Sequence, residues 1–240
     1  MEYWKNGILE YWQNAQENDV PTIPSFQHSL KIEPMENHRL RQTLDRIASF
    51  YNGYKVGYVG HEGYRKSTDL VKLGRCIEEL AAHGFINPQN TIFLDLGCAD
   101  GRVNVLMSYF VKHSVGIEID PEILAEFNPR KEELTHELQS ENLIQPSDNI
   151  DLFQGNSLEA ATYEKIESTI NLRFEDIDLF YTYITLHDLF GAKIAEEAKA
   201  NSLYLVYGFS QILPRYEGLE LIIPDVASQG ILALYGKGQF

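Results

Sequence analysis

The stretch Phe93-Leu94-Asp95-Leu96-Gly97-Cys98-Ala99-Asp100-Gly101-Arg102 decides the reading of this chain. A short apolar run of β type, residues 91–96, enters a glycine-containing turn, and a segment with a helical pattern, residues 102–112, leaves it. In a doubly wound sheet, ligands sit beyond the carboxyl ends of the strands. Gly97 closes the strand, so the backbone there can approach a ligand with no Cβ in the way. Gly101 opens the helix and lets the chain turn sharply, and N–H groups at a helix start can bind a carboxylate. Asp95 is the odd residue, because an acid at the end of an apolar strand is costly to bury without a partner. It repels a pyrophosphate and suits a ligand with an amine and a positive sulfur. Cys98 reads as a small buried thiol, and Asp100 as a helix cap or a ligand contact.

Outward from this turn, strand and helix patterns alternate. Residues 114–119 form a second strand ending in Gly116-Ile117-Glu118-Ile119-Asp120. A carboxylate at Glu118 can accept both hydroxyls of a ribose. Asp120-Pro121 caps the next helix, which Asn128-Pro129 interrupts. Further strands are expected over 150–153, 177–183 and 203–207, with helices over 157–170 and from a capping box at Thr185 and Asp188 to about residue 200. Residues 219–223 and 231–235 have no helix between them and close the sheet as an antiparallel pair. The expected fold is α/β: a doubly wound, mostly parallel seven-stranded sheet with an antiparallel edge hairpin, plus an N-terminal helical extension. The sheet domain is placed at 86–240 and the extension or cap at 1–85. Within the extension, a helix is expected over 2–17 on the stripe Trp4, Ile8, Trp12 and Ala15, and a proline-bearing linker over 19–36. A helix capped by Asn37 follows, with a stripe of Leu40, Leu44, Ile47 and Tyr51. After an aromatic, glycine-rich segment comes another helix, from Ser67 or Thr68, on Leu70, Leu73, Ile77 and Leu80.

Other phosphate-binding turns fail. A dinucleotide fingerprint starting at Gly97 would need glycine where Ala99 and Arg102 stand, which argues against a nicotinamide-dependent oxidoreductase. Arg65-Lys66-Ser67-Thr68 lacks the glycine that a P-loop places before its lysine. The segment 95–102 with the later Gly116–Asp120 resembles instead the first two motifs of class I S-adenosylmethionine-dependent methyltransferases. The resemblance covers about residues 91–240. It is similar, more narrowly, to the small archaeal and bacterial relatives of the lysine methyltransferases, which resemble the Dot1-type group. The resemblance implies S-adenosyl-L-methionine as cofactor. Asp95, Gly97, Cys98 and Gly101 would shape its methionine end, Glu118 would hold the ribose, and Ile119 would pack on the adenine. Where the family often has an acid after the third strand, this chain reads Gln154-Gly155-Asn156-Ser157, and Asn156 and Ser157 take that place. Tyr181, Thr182 and Tyr183 would line the acceptor side, and the family's Asn-Pro-Pro-Tyr type motif is missing there. Candidates for the base, by position alone, are Asp178, Tyr183, Tyr181 and His187. A non-catalytic protein that kept the cofactor fold is the alternative.

With 20 Lys and Arg against 35 Asp and Glu, the formal charge of −15 disfavours a phosphate backbone as partner. A protein side chain of lysine type or a small molecule is the expected acceptor, and no nucleic acid is expected. The two cysteines, Cys76 and Cys98, make no disulfide framework, and the histidines have no metal-ligand spacing, so no metal is expected. No run reaches the length of a membrane span, and a cytoplasmic setting is the default. The N-terminal extension offers a surface for an oligomer.

Overall fold

The computed structural model describes residues 34–54, 59–60, 63–64, 67–209 and 212–238. The helix expected over 2–17, and most of the linker and of the aromatic, glycine-rich segment, lie outside them. One compact unit starts at Met35 and includes the whole sheet.

Helix α1 is Pro34–Asn52, starting three residues before Asn37. A proline suits the first turn, where its missing N–H would have no partner anyway. Helix α2 is Leu70–Ala82. Its cap is Asp69, whose carboxylate accepts from the backbone N–H of Val71 and Lys72 at 3.0 and 3.2 Å, so neither Ser67 nor Thr68 starts it. The chain leaves α2 through Gly84 at φ +77°.

The sheet strands are β1 (Ile92–Leu96), β2 (His113–Glu118), β3 (Ile150–Gln154), β4 (Leu179–Tyr183), β5 (Leu203–Tyr207), β6 (Glu220–Ile223) and β7 (Leu232–Gly236). They stand in the order β3-β2-β1-β4-β5-β7-β6. The first five are parallel, and β7 runs antiparallel to both β5 and β6. This is the mostly parallel seven-stranded sheet with an antiparallel edge pair that the sequence implied. Strand order reverses between β1 and β4, which places the crevice for a ligand at the end of β1.

Alternation along the strands feeds two cores. Phe93, Leu179, Tyr181, Leu205 and Leu234 point to the face covered by α1, α2 and α3 (Arg102–Met107), where Ile47, Tyr51, Leu73, Ile77, Val105 and Leu106 are buried with them. Leu94, Ile117, Phe180 and Val206 point the other way, to Ile166 on α6 (Ala160–Ile170) and to Phe190 and Ile194 on α7 (His187–Glu197). The helices read as part of the N-terminal extension thus share a core with the sheet.

Several boundaries differ for local reasons. Helix α3 ends at Met107 instead of running to 112. The Ser108 hydroxyl donates back to Val105 O at 2.7 Å, and the Asn149 amide takes Ser108 O at 3.1 Å and Val111 O at 2.9 Å, so those carbonyls have partners outside a helix. The helix after Asp120 breaks at Ala125-Glu126, giving α4 (Pro121–Leu124) and α5 (Phe127–Ser140). Asn128-Pro129 then sits in the first turn of α5, where proline costs no bond. The expected capping box at Thr185 and Asp188 does not form. Helix α7 begins after Leu186, at φ +56° and without a side-chain cap.

Ile77 is fully buried where α2 meets the sheet. Ile77→Ala is expected to cost about 2–5 kcal/mol. Urea unfolding followed by far-UV and near-UV circular dichroism checks this and should show one shifted transition. A separate early loss of helix signal would show that α2 melts apart from the sheet.

Candidate functional site

The turn after β1 uses its two glycines for different ends. Gly97 has φ +110°, and a Cβ built there meets none of the described residues within 4 Å. Gly101 has φ +74°, and a Cβ there would lie 2.5 Å from Phe127 Cδ2 and 2.7 Å from Leu152 Cδ1. Among the described residues nothing packs on the first glycine, and the second lets the turn press against α5 and β3. Between them Ala99 takes φ +49°, a left-handed conformation that favours glycine. Glu118 holds it there: one carboxylate oxygen accepts from Ala99 N at 3.0 Å, and the other from Asp120 N at 2.9 Å. The turn is also tied to β2 by Gly97 N and Cys98 N, which both donate to Ile117 O at 3.0 and 2.9 Å.

Register shows what flanks the opening. Asp95 pairs with Gly116 on β2 and with Tyr181 on β4, Glu118 pairs with Gln154, and Tyr183 pairs with Tyr207. One level above Leu96, the row across five strands therefore reads Gln154, Glu118, Gly97, Tyr183, Tyr207. Glu118, Tyr183 and Tyr207 alternate to the same face as Asp95. The gap over Gly97 has a carboxylate on one side and two tyrosine rings, 5.4 Å apart by centroid, on the other. Gly208, at φ +95°, makes room for the Tyr183 ring, since a Cβ there would stand 2.8 Å from Cε1.

Three carboxylates crowd the turn. Asp95 is 2% exposed, and among the described residues none donates a hydrogen bond to its carboxylate. Burial pushes its carboxyl well above the usual range, and the neighbouring Glu118 and Asp100 push the same way. The same burial, with Asp95, Glu118 and Asp100 nearby, holds the Cys98 thiol well above its ordinary value, so Cys98 is an inert buried thiol. Asp100, fully buried, accepts from Arg102 Nε and Nη2, both at 2.9 Å, and from Arg130 Nη1.

The other expected site residues scatter. Ile119 stands 49% exposed on the lip beside Glu118, as an apolar platform would. Asn156 is used locally: its amide oxygen accepts from Leu158 N at 3.0 Å and its amide nitrogen donates to Glu159 at 3.0 Å. Ser157 is buried next to it, its carbonyl accepting from Tyr163 OH at 2.6 Å. Both remain beside the β2 loop, because Gly155 N donates to Glu118 O at 3.0 Å. Tyr181 is buried beneath the row, sharing a 2.8 Å hydrogen bond with the Thr68 hydroxyl. Tyr183 is half-buried at the mouth, and burial raises its phenol. His187 shares a 2.8 Å hydrogen bond with Tyr216 OH. Asp178 is not brought to the site. It precedes β4 at the opposite end of the sheet, accepts from Ile92 N at 2.8 Å and pairs with Lys199 at 2.5 Å. A strand carries side chains to the ligand only at its carboxyl end, and Asp178 stands at the amino end. Arg130, far along the chain, joins the turn, and the one sequence signal for such a partner was Arg102, an arginine opening a helix that is wholly buried.

No family model and no curated protein matches the chain. Solved structures do. An RNA methyltransferase from Salinibacter ruber, in complex with S-adenosyl-L-homocysteine, is 14% identical over 73% of this chain and 95% of its own, with a TM-score of 0.46. An rRNA methylase from Streptococcus thermophilus is 12% identical over 70% of this chain and 97% of its own, with a TM-score of 0.45. At such identities, chemistry has to be argued from the site itself. Among the described residues, no cluster of His, Cys, Asp and Glu has a metal-holding arrangement, and no helix is long and apolar enough to cross a membrane.

The raised Asp95 carboxyl fixes the sign of a stability effect. A folded-state value above the unfolded one makes the folded chain favour the protonated form. Its stability is fully present below the unfolded value and is lost as pH rises toward the folded one. Asp95→Asn, which cannot ionise, should therefore melt at a higher temperature than the native chain at pH 8. Thermal melts from pH 8 down to pH 4 should show that advantage shrinking; an advantage that is constant with pH would mean Asp95 ionises normally.

Proposed function

We propose that the chain is an S-adenosylmethionine-dependent methyltransferase whose acceptor is an amine, on a lysine-type protein side chain or on a small molecule. One observation carries the reading: a buried carboxyl, Asp95, without a donor among the described residues, beside a glycine gap that Glu118 closes on the other side. This chemistry fits a ligand that brings its own cation and its own hydroxyls. A sulfonium cofactor supplies, when bound, a methyl group activated for direct displacement.

The residues divide the work accordingly. Asp95 would face the ammonium and sulfonium end, where a positive ligand relieves the repulsion from Glu118 and Asp100. Glu118 would accept the ribose hydroxyls, Ile119 would cover one face of the adenine, and Asn156 and Ser157 would border its edge. Gly97 lets the backbone come close, and Cys98 and Gly101 shape the turn. On the far side of the gap the half-buried ring of Tyr183, backed by the buried Tyr207, forms an aromatic wall. Such rings attract a cation and orient an amine, and the sheet beneath holds the acceptor in line. The wall has no basic side chain in its row, and the chain's formal charge is −15, which supports an amine over a phosphate-bearing acceptor. The described RNA methylases above make nucleic acid the acceptor to be tested against this reading.

Purified protein incubated with methyl-labelled S-adenosylmethionine and cell extract tests the proposal, with protein, small-molecule and nucleic-acid fractions counted separately. Label is expected in one of the first two. Label in nucleic acid alone would overturn the amine acceptor, and cofactor binding with no label anywhere would favour a non-catalytic binding protein. Calorimetry with S-adenosylhomocysteine should show Glu118→Gln weakening binding about tenfold to a hundredfold, the worth of one or two hydrogen bonds to a charged group. Failure of the native chain to bind either form of the cofactor would sink the methyltransferase reading.

A further inference from the structure

We infer that Asp100, Arg102 and Arg130 form a charge clamp that presets the ligand-binding turn, and that Arg130 is a positioning residue for the proposed cofactor. The second half rests on the methyltransferase reading; the first does not.

The observations are geometric. Asp100 lies in the middle of the turn with no exposed surface. Arg102 grips it from the helix side with two bonds of 2.9 Å, and Arg130 of α5 reaches the same carboxylate from across the gap between elements. Each guanidinium also lies over a tyrosine at the end of α1. Arg102 is 5.2 Å from the centroid of the Tyr51 ring, and Arg130 is 4.7 Å from that of Tyr54. Arg102 Nη2 donates to Tyr54 O at 3.4 Å, and Tyr54 OH donates to Glu133 of α5 at 2.6 Å. Arg130 is finally steadied by Glu126 at 2.7 Å. Two elements distant in sequence, α3 and α5, thus meet on one carboxylate, with Tyr51 and Tyr54 packed against the two arginines.

A buried ion pair contributes little net stability compared with apolar packing, yet breaking one leaves a charge stranded. Such a network fixes geometry more than it adds stability. What it fixes here is the segment between two left-handed residues, Ala99 and Gly101. That segment needs an outside restraint, because Ala99 favours other conformations when released. Glu118 restrains one side of the turn through Ala99 N, and the clamp restrains the other through Asp100.

The test is amide hydrogen exchange on the full chain without ligand. Arg130→Gln should speed exchange of the peptide spanning residues 97–102 about tenfold or more, while peptides of β5 and β7 stay protected. Tyr54→Leu, which removes the stacking partner and the hydrogen bond to Glu133 but leaves Asp100 and both arginines in place, should give a smaller change in the same peptide and keeps the test alive if Arg130→Gln fails to fold. Exchange in 97–102 that is unchanged in both variants overturns the clamp. Calorimetry with S-adenosylhomocysteine then addresses the second half. Arg130→Gln should weaken binding about tenfold, with turnover at saturating cofactor close to native. Equal loss of turnover at saturation would make Arg130 merely structural. A native chain that binds no cofactor while the exchange result holds would overturn the methyltransferase reading and the role of Arg130 in it, and leave the clamp standing.

Discussion

Three carboxylates converge on a turn of five residues, and the fold answers each of them differently. Asp100 is met by two arginines, one local and one from α5. Glu118 is met by backbone N–H groups of the turn and of its own loop. Asp95 has no donor among the described residues and is driven toward its neutral form. A buried acid left in this condition reduces stability at neutral pH. On the proposed reading, a ligand with a positive centre would remove that cost.

The rest of the architecture follows from holding that turn. Strands β2 and β4 flank β1 and bring Glu118 and Tyr183 to the same level on either side of Gly97. Gly101 lets Phe127 and Leu152 close in beneath the turn, while no described residue packs on the Gly97 side. Helices α1 and α2 fill the face of the sheet from which Asp95 and Glu118 rise, and the residues just before α2 reach strand tyrosines. Tyr207 OH accepts from Asp69 N at 3.0 Å, and Thr68 meets Tyr181. Site and core are therefore parts of one packing problem.

The aromatic side of the gap has a different physics from the acidic side. Tyr181, buried and bonded to Thr68, sets the floor, and the buried Tyr207 stands behind Tyr183. Tyr183 alone is half-buried at the mouth, seated against Gly208. On the proposed reading, a single ring so placed would select acceptors by shape and charge.

Much of this was legible in the chain itself. The strand–turn–helix of residues 91–102, the acid ending the second strand and the Asp120-Pro121 cap are local signals, governed by periodicity, glycine conformation and capping, which need no tertiary contact. The two uses of glycine at 97 and 101 follow from the same logic, whereas the order of the strands appears only in the folded sheet. Other features were settled only in three dimensions. Asp178 looked like a neighbour of Tyr181 and Tyr183 because it precedes them by three and five residues, but a strand separates its two ends in space, and Asp178 lies at the wrong one. The end of α3 depends on Asn149, and the partner of Asp100 on Arg130; both come from distant parts of the chain. Sequence spacing fixes what a residue can do with its neighbours along the chain. Which charges meet across the turn is decided by how separate elements pack, and no local pattern encodes that.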